Sequence, residues 1–171
     1  CAQSRFAMSF LEDRKIHALP LSDYLNDELL EPPAPQPRRP LILYNPMKGI
    51  HVTTKLMKAC PEFEYRPLVG LSRSELRGVL ATSMVYMDFG HHPGKDRMPR
   101  EAAVSGCVVI TNRRGAAGND IDVPISRRYK IDERDRSFVE NFRSVVRDTC
   151  ADFEAAQARF ADYVAEIRDQ K

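Results

Sequence analysis

The chain has 171 residues, 43% of them hydrophobic, so it is long enough for one folded domain with an ordinary core. Its 26 lysines and arginines nearly balance 24 aspartates and glutamates, and the net charge of +2 argues against a dedicated nucleic-acid-binding protein. No apolar run approaches the roughly 20 residues that a membrane-crossing helix needs.

The four cysteines are widely scattered and form no C-x-x-C pair. A disulfide-rich secreted domain would have more cysteines for its length, and a zinc site would have cysteines closer together in the sequence. We therefore expect buried thiols in a reducing, cytoplasmic setting, with peripheral association at the inner face of the membrane as an alternative. Because the chain opens with Cys1 inside a helical pattern, we expect it to be part of a longer protein.

The segment 1–31 precedes a proline-rich stretch. It is predicted to hold an amphipathic helix at Gln3–Arg14, a short strand at Ile16–Leu19 and a helix to Leu30 that Ser22 or Asp23 would cap. Prolines dominate residues 32–40, which favours an extended linker.

From residue 41 to residue 132, strands and helices alternate, which predicts a Rossmann-like α/β domain with a parallel sheet. Its first strand, Leu41–Tyr44, is continuously apolar, as in strands buried on both faces. The elements that follow are predicted to be a helix at His51–Ala59, an extended segment at Phe63–Val69, a helix from the capping box Ser72–Glu75 to Ala81, a strand at Met84–Asp88, a helix at Met98–Ser105 and a strand at Cys107–Thr111.

The last segment, residues 133–171, contains no glycine or proline, and its apolar residues recur at three- and four-residue steps. This pattern predicts one long amphipathic helix, or two joined by a kink. Core packing is the favoured interpretation of the stripe, although a surface outside the chain could also cover it.

The segment between Asp88 and Glu101 has the composition of a phosphate-binding unit. A polar loop with Gly90 and Gly94 follows a strand, and the next helix has Pro99 near its first turn. Ligands of open α/β sheets bind beyond the carboxyl ends of the strands, where helix amides attract phosphate.

Five side chains of this unit are considered for contacts with a ligand. Lys95 and Arg97 are cationic donors for phosphate, and Glu101 could accept hydrogen bonds from ribose hydroxyls. The simpler alternatives are a solvated lysine–arginine pair and a glutamate that complements the helix dipole. His91 and His92 could suggest a metal, but adjacent histidines without a third ligand rarely form a metal site, so no metal is predicted.

Two further loops follow strands and should lie at the same edge of the sheet. Lys48 could reach the same anion, and Gly49 would let the backbone approach closely. Arg113 lies in the third loop and is a candidate for adding positive charge there. Taken alone, each loop is also compatible with an ordinary turn.

These motifs resemble those of GT-B glycosyltransferases. The pattern Glu101-Ala-x-x-x-Gly106 before a buried strand is similar to the family motif in which a helix glutamate binds the ribose, and Lys48-Gly49 resembles its diphosphate-binding loop. The Asp88–Glu101 stretch resembles a subgroup related to bacterial polysaccharide synthesis. The resemblance covers most of residues 1 to 130.

The resemblance implies the nucleotide-sugar-binding, C-terminal half of a GT-B enzyme that transfers a sugar to an acceptor, with a surface polysaccharide as the candidate acceptor. It implies a preceding N-terminal domain, whose last elements would be residues 1–31 and onto which the last helix would return, and it implies no metal cofactor. The implied catalytic residues are Lys48, Lys95 and Arg97, and the implied donor-binding residues are Gly49, His91, His92, Gly94, Pro99, Glu101 and Arg113.

The chain departs from the family at two points. Many relatives have an earlier glutamate that touches the donor sugar, and Pro93 occupies that position here. The arginine often found before the lysine-glycine pair is also missing, and Arg97 is a candidate substitute for its charge. The sequence therefore leaves open a non-catalytic nucleotide- or sugar-binding module, or an interaction scaffold.

Overall fold

The structure, a computed structural model, describes residues 1–21, 24–31 and 34–170. The predicted helix cap at Ser22 or Asp23 lies outside these residues, as do Pro32 and Pro33 of the predicted linker.

Four parallel strands form one sheet in the order β2-β1-β3-β4. The strands are β1 (Arg39–Tyr44), β2 (Glu64–Pro67), β3 (Ser83–Asp88) and β4 (Val108–Thr111). After β1 the chain forms β2 next to one edge of β1, and it then crosses over to form β3 next to the opposite edge of β1. This reversal places the topological switch point, where α/β sheets bind ligands, between the carboxyl ends of β1 and β3.

Most predicted elements are present, with their boundaries shifted by a residue or two. The helices are α1 (Arg5–Glu12), α2 (Asp27–Leu30), α3 (Ile50–Ala59), α4 (Arg73–Thr82), α5 (Arg97–Val104), α6 (Phe138–Ala151), α7 (Phe153–Ala158) and α8 (Ala161–Asp169), with short 3-10 turns at Gly115–Gly118 and Arg127–Tyr129. The predicted capping box opens α4: Ser72 Oγ accepts the Glu75 amide at 3.3 Å, and Glu75 Oε2 accepts the Ser72 amide at 2.8 Å.

The predicted strand at Ile16–Leu19 is wrong. The backbone there forms no strand, and only an isolated bridge joins Ala2 to Pro20 next to it. A short apolar run cannot form a strand without a neighbouring strand to complete its hydrogen bonds.

The C-terminal segment consists of three consecutive helices, not one or two. The first break needs no glycine or proline, because the Asp152 carboxylate accepts the Ala155 amide at 3.2 Å and so begins α7. The apolar stripe packs on the core of this chain, where Phe142, Phe160 and Ile167 are buried. The core-packing interpretation is therefore confirmed.

None of the helices in the described ranges is long and apolar enough to cross a membrane.

Candidate functional site

The loops after β1 and β3 meet closely at the switch point. Gly49 adopts a left-handed conformation (φ 59°) directly before α3. A Cβ atom at this position would lie 2.3 Å from the carbonyl oxygen of Phe89, in the loop after β3. Only glycine permits this approach of the two loops. The predicted close approach of Gly49 to a bound anion stays a prediction.

The loop after β4 joins them through two hydrogen bonds. Asn112 Nδ2 donates to the carbonyl of Gly90 at 2.7 Å, and the amide of Ala116 donates to the carbonyl of His92 at 2.8 Å. The expectation that three strand-terminal loops lie at one edge of the sheet is therefore confirmed.

Lys48 and Asp96 connect the β1 loop to the start of α5. Lys48 Nζ lies 2.7 Å from Asp96 Oδ2, and His92 Nδ1 lies 2.6 Å from the same oxygen. Burial by itself would raise the pKa of the Asp96 carboxyl, but hydrogen bonds from His92 and Lys48 outweigh it and hold the pKa below its ordinary value. Asp96 is therefore ionised at neutral pH and compensates the charge of Lys48.

Asp88 lies at the end of β3, on the other side of His92. Its Oδ1 accepts the Gly90 amide at 2.9 Å and lies 3.6 Å from His92 Nε2, while its Oδ2 accepts the Tyr86 hydroxyl at 3.3 Å. Burial raises the pKa of Tyr86 well above its ordinary value, and the neighbouring Asp88 charge adds to this effect. The phenol therefore stays protonated and serves as a donor to Asp88.

Arg97 and Glu101 form a pair one turn apart on α5. Arg97 Nε lies 2.5 Å from Glu101 Oε1, and Arg97 Nη2 donates to Asn26 Oδ1 at 3.4 Å. The Glu101 side chain is only 6% exposed, whereas that of Arg97 is 52% exposed. The buried carboxylate is therefore paired with an arginine that solvent can reach.

The remaining predicted residues are distributed around this group. Lys95 Nζ lies 3.6 Å from Glu166 Oε1 on α8. Pro99 is buried in α5, and Gly94 has open space where a side chain would stand. His91 is exposed, in contrast to its buried neighbour His92.

Arg113 is directed toward another part of the molecule. Its Nε donates to the carbonyl of Lys130 at 2.8 Å, and it lines a cavity with residues of α6 such as Asp148. The structure thus groups Lys48, Lys95, Arg97 and Glu101 around the start of α5 but does not bring Arg113 into contact with them. Its predicted role in donor binding stays a prediction.

Each of the three cations predicted to bind phosphate is paired with a carboxylate. The pairs are Lys48 with Asp96, Lys95 with Glu166, and Arg97 with Glu101. The sequence-based interpretation did not assign roles to Asp88 or Asp96. Their spacing of four residues on either side of His92 was the signal that could have identified them.

A small cavity of about 130 Å³ lies at the same edge of the sheet, lined by Asn45 after β1, by Leu68, Gly70 and Leu71 after β2, and by Leu76 and Met98. A larger cavity of about 960 Å³ lies near the amino ends of the strands, between Arg38, Gly106 and Phe153. The small cavity, not the large one, adjoins the residues discussed above.

No protein-family model matches the sequence, and no curated protein matches it. Among solved structures, the chain is similar to the catalytic domain of starch synthase IV from Arabidopsis thaliana bound to ADP and acarbose, with a TM-score of 0.54 and 11% sequence identity. The match covers 98% of this chain but 42% of the other, so this chain spans less than half the length of that protein.

At this level of identity the similarity establishes the fold. The chain is a Rossmann-like α/β domain of four parallel strands flanked by helices, and it matches a GT-B domain, as the sequence predicted. Its assignment to a subgroup and to the C-terminal half stay predictions.

Proposed function

We propose that this chain is the donor-binding domain of a glycosyltransferase that transfers a sugar from a nucleotide diphosphate sugar to an acceptor. The observation that carries the proposal is the meeting of Lys48, the start of α5 and Glu101 at the topological switch point. The similar starch synthase structure is bound to ADP, a nucleoside diphosphate.

The start of α5 is suited to an anion. Asp96 precedes the helix, but its carboxylate makes no side-chain cap and contacts Lys48 and His92 instead. The first-turn amides therefore have no side-chain partner from the cap position, and amides at a helix start bind phosphate readily.

The ion pairs define how a donor would bind. Lys48 would exchange Asp96 for a phosphate oxygen, and the exposed Arg97 would swing from Glu101 toward the diphosphate. This movement would release Glu101 Oε1 to accept hydrogen bonds from the ribose. The 130 Å³ cavity beside Met98 would then receive the base against Leu68 and Leu71.

The same cations would act in the transfer step. As the bond between the sugar and the diphosphate breaks, negative charge grows on the departing phosphate oxygens. Lys48, Lys95 and Arg97, once they contact the diphosphate in the donor complex, would stabilise that charge electrostatically. The acceptor and the residues that bind it would belong to a preceding domain, and a surface polysaccharide is the acceptor class that the sequence resemblance favours.

Thermal melting with UDP, GDP, dTDP and ADP tests the nucleotide site. A nucleotide at 100 times its Kd stabilises a protein by about 2.7 kcal/mol, or roughly 5–10 °C in a domain of this size. We expect one nucleotide to give such a shift, and we expect Lys48→Ala and Glu101→Gln each to weaken its binding by about 1.5–3 kcal/mol. Lys58→Ala, which removes an exposed lysine near the end of α3, is the matched control and should leave the nucleotide affinity unchanged.

A folded sample that none of the four nucleotides stabilises would contradict the proposal. Sugar release from a donor by the full-length protein would then distinguish a transferase from a module that only binds. The binding-only alternative has one specific observation in its favour, which is Pro93 at the position where many relatives have a sugar-binding glutamate.

A further inference from the structure

Lys95 connects the loop before α5 to the last helix of the chain. Its Nζ atom lies 3.6 Å from Glu166 Oε1 on α8, and its side chain is only 17% exposed. Within the described ranges, no second carboxylate forms an ion pair with this amine. Glu166 therefore supplies the negative charge that a largely buried ammonium group needs.

Glu166 is itself held by a chain of hydrogen bonds that leads back to α5. Gln170 Nε2 donates to Glu166 Oε1 at 2.9 Å, and Arg100 Nη2 donates to Gln170 Oε1 at 3.1 Å. Arg100 is 1% exposed, so this end of the chain of contacts is fixed inside the protein. The position of the Glu166 carboxylate is thus set by α5, the helix whose start is the candidate phosphate site.

The geometry of the contact between Lys95 and Glu166 indicates that it can open. At 3.6 Å the two charged atoms attract each other, but they are too far apart for a hydrogen bond. Glu166 Oε1 accepts its hydrogen bond from Gln170 instead. The Glu166 side chain is 39% exposed, so water would solvate the carboxylate if the lysine left it.

We propose that Glu166 is a positioning residue that holds the amine of Lys95 away from the donor diphosphate and so lowers the affinity for the donor. This role of Glu166 rests on the proposed function, because it needs a diphosphate as the competing ligand. Lys95 directly precedes Asp96, the cap residue of α5, and its flexible four-carbon stem lets the amine turn from α8 toward the first-turn amides. A diphosphate carries more negative charge than one carboxylate, so it attracts the amine more strongly once it is bound.

The coupling between the donor and α8 acts in both directions. The contact with Glu166 competes with the contact to phosphate, so donor binding in turn removes a polar contact between α8 and the loop before α5. Tyr163 and Ile167 are buried and keep α8 packed on the core with or without that contact. The change is therefore confined to the ion pair of Lys95 with Glu166.

Isothermal titration calorimetry of the wild type and Glu166→Gln with UDP, GDP, dTDP and ADP tests this role. The glutamine can still accept the hydrogen bond from Gln170 but loses the charge that holds Lys95. We expect the nucleotide that the wild type binds to bind the variant about 2–5-fold more tightly, as for the removal of a partly exposed ion pair. The corresponding nucleoside, which has no phosphate, should gain no affinity, whereas a general change of the fold would affect both ligands.

Two further variants make the test specific. Glu154→Gln removes an exposed carboxylate from α7 and is the matched control, which should leave the affinity unchanged. In a Lys95→Ala background, Glu166→Gln should no longer raise the affinity, because the amine that it releases is absent. Thermal melting without ligand checks that each variant is folded.

An unchanged or lower affinity of Glu166→Gln for the nucleotide would overturn this role of Glu166 and leave the nucleotide site intact. An equal gain with the nucleoside, or an equal gain in the Lys95→Ala background, would also overturn it, since neither involves the contact of Lys95 with phosphate. A folded wild type that binds none of the four nucleotides would overturn this role together with the proposed function.

Discussion

At the scale of single residues, Gly49 lies at a close backbone approach within the candidate site. Its left-handed backbone turns the chain from β1 into α3 and brings it against Phe89 and Gly90. Gly70 has a similar positive φ of 67° in the loop after β2, but a Cβ atom there would meet nothing within 4 Å. Substitutions at the two glycines therefore distinguish the cost of backbone strain, which both would have, from the cost of the clash between loops, which only Gly49 would have.

Gly49→Ala is expected to lower the free energy of unfolding by roughly 2–5 kcal/mol, because strain and overpacking add. Gly70→Ala should cost only the strain, about 1–2 kcal/mol. Urea unfolding measures both variants. Equal losses would show that the contact between the β1 and β3 loops is not tight.

At the scale of elements, the short helix α1 depends on a distant side chain. Asp122 is buried, and its two carboxylate oxygens accept the amides of Arg5 and Phe6 at 2.6 and 2.8 Å. The local cap, Ser4, accepts only the amide of Ala7 at 3.0 Å. A helix of eight residues is marginal alone, so this long-range cap fixes the first segment to the α/β domain.

Asp122→Ala is expected to cost about 2 kcal/mol, because it leaves two helix amides without their charged acceptor. Proteolysis in the segment after α1 should also become faster. Asp13→Ala, at the exposed opposite end of the same helix, is the control and should change stability little. Unchanged urea unfolding and proteolysis of the Asp122 variant would contradict this assignment.

At the scale of the whole molecule, the C-terminal helices belong to the same core as the sheet. Phe89, directly after β3, packs edge-to-face with Phe138 and Phe142 of α6, at centroid distances of 5.5 and 6.1 Å. Further along, α8 packs on α5, where Lys95 meets Glu166 and Ile167 is buried. The packing of α8 therefore supports the segment that carries the candidate site.

Ile167→Ala is expected to lower the free energy of unfolding of the entire chain by roughly 2–5 kcal/mol. Far-UV signals from the helices and near-UV signals from the tyrosines should change in one coincident transition. Val164→Ala, at a partly buried position of α8, should cost less. Separate melting of the last helices would show instead that they form an independent unit.

Much of the architecture could be predicted from local patterns. Apolar runs located the strands, the Ser72–Glu75 box located the start of α4, and glycines after strands marked the loops that meet. The predicted strand near Ile16 was wrong because a strand needs a partner strand to complete its hydrogen bonds. The C-terminal segment, predicted as one helix or two joined by a kink, has three helices, and the first break depends on the cap at Asp152.

The sequence by itself determined the alternation of strands and helices and the edge of the sheet at which polar loops collect, because hydrophobic periodicity and turn chemistry act over a few residues. Only the tertiary structure decided which charged groups pair: Lys95 with Glu166 and Lys48 with Asp96. It also decided that Asp122 accepts the first amides of α1. Such pairs join segments that are distant along the chain. Their geometry exists only after burial has brought the elements together, so no local pattern encodes it.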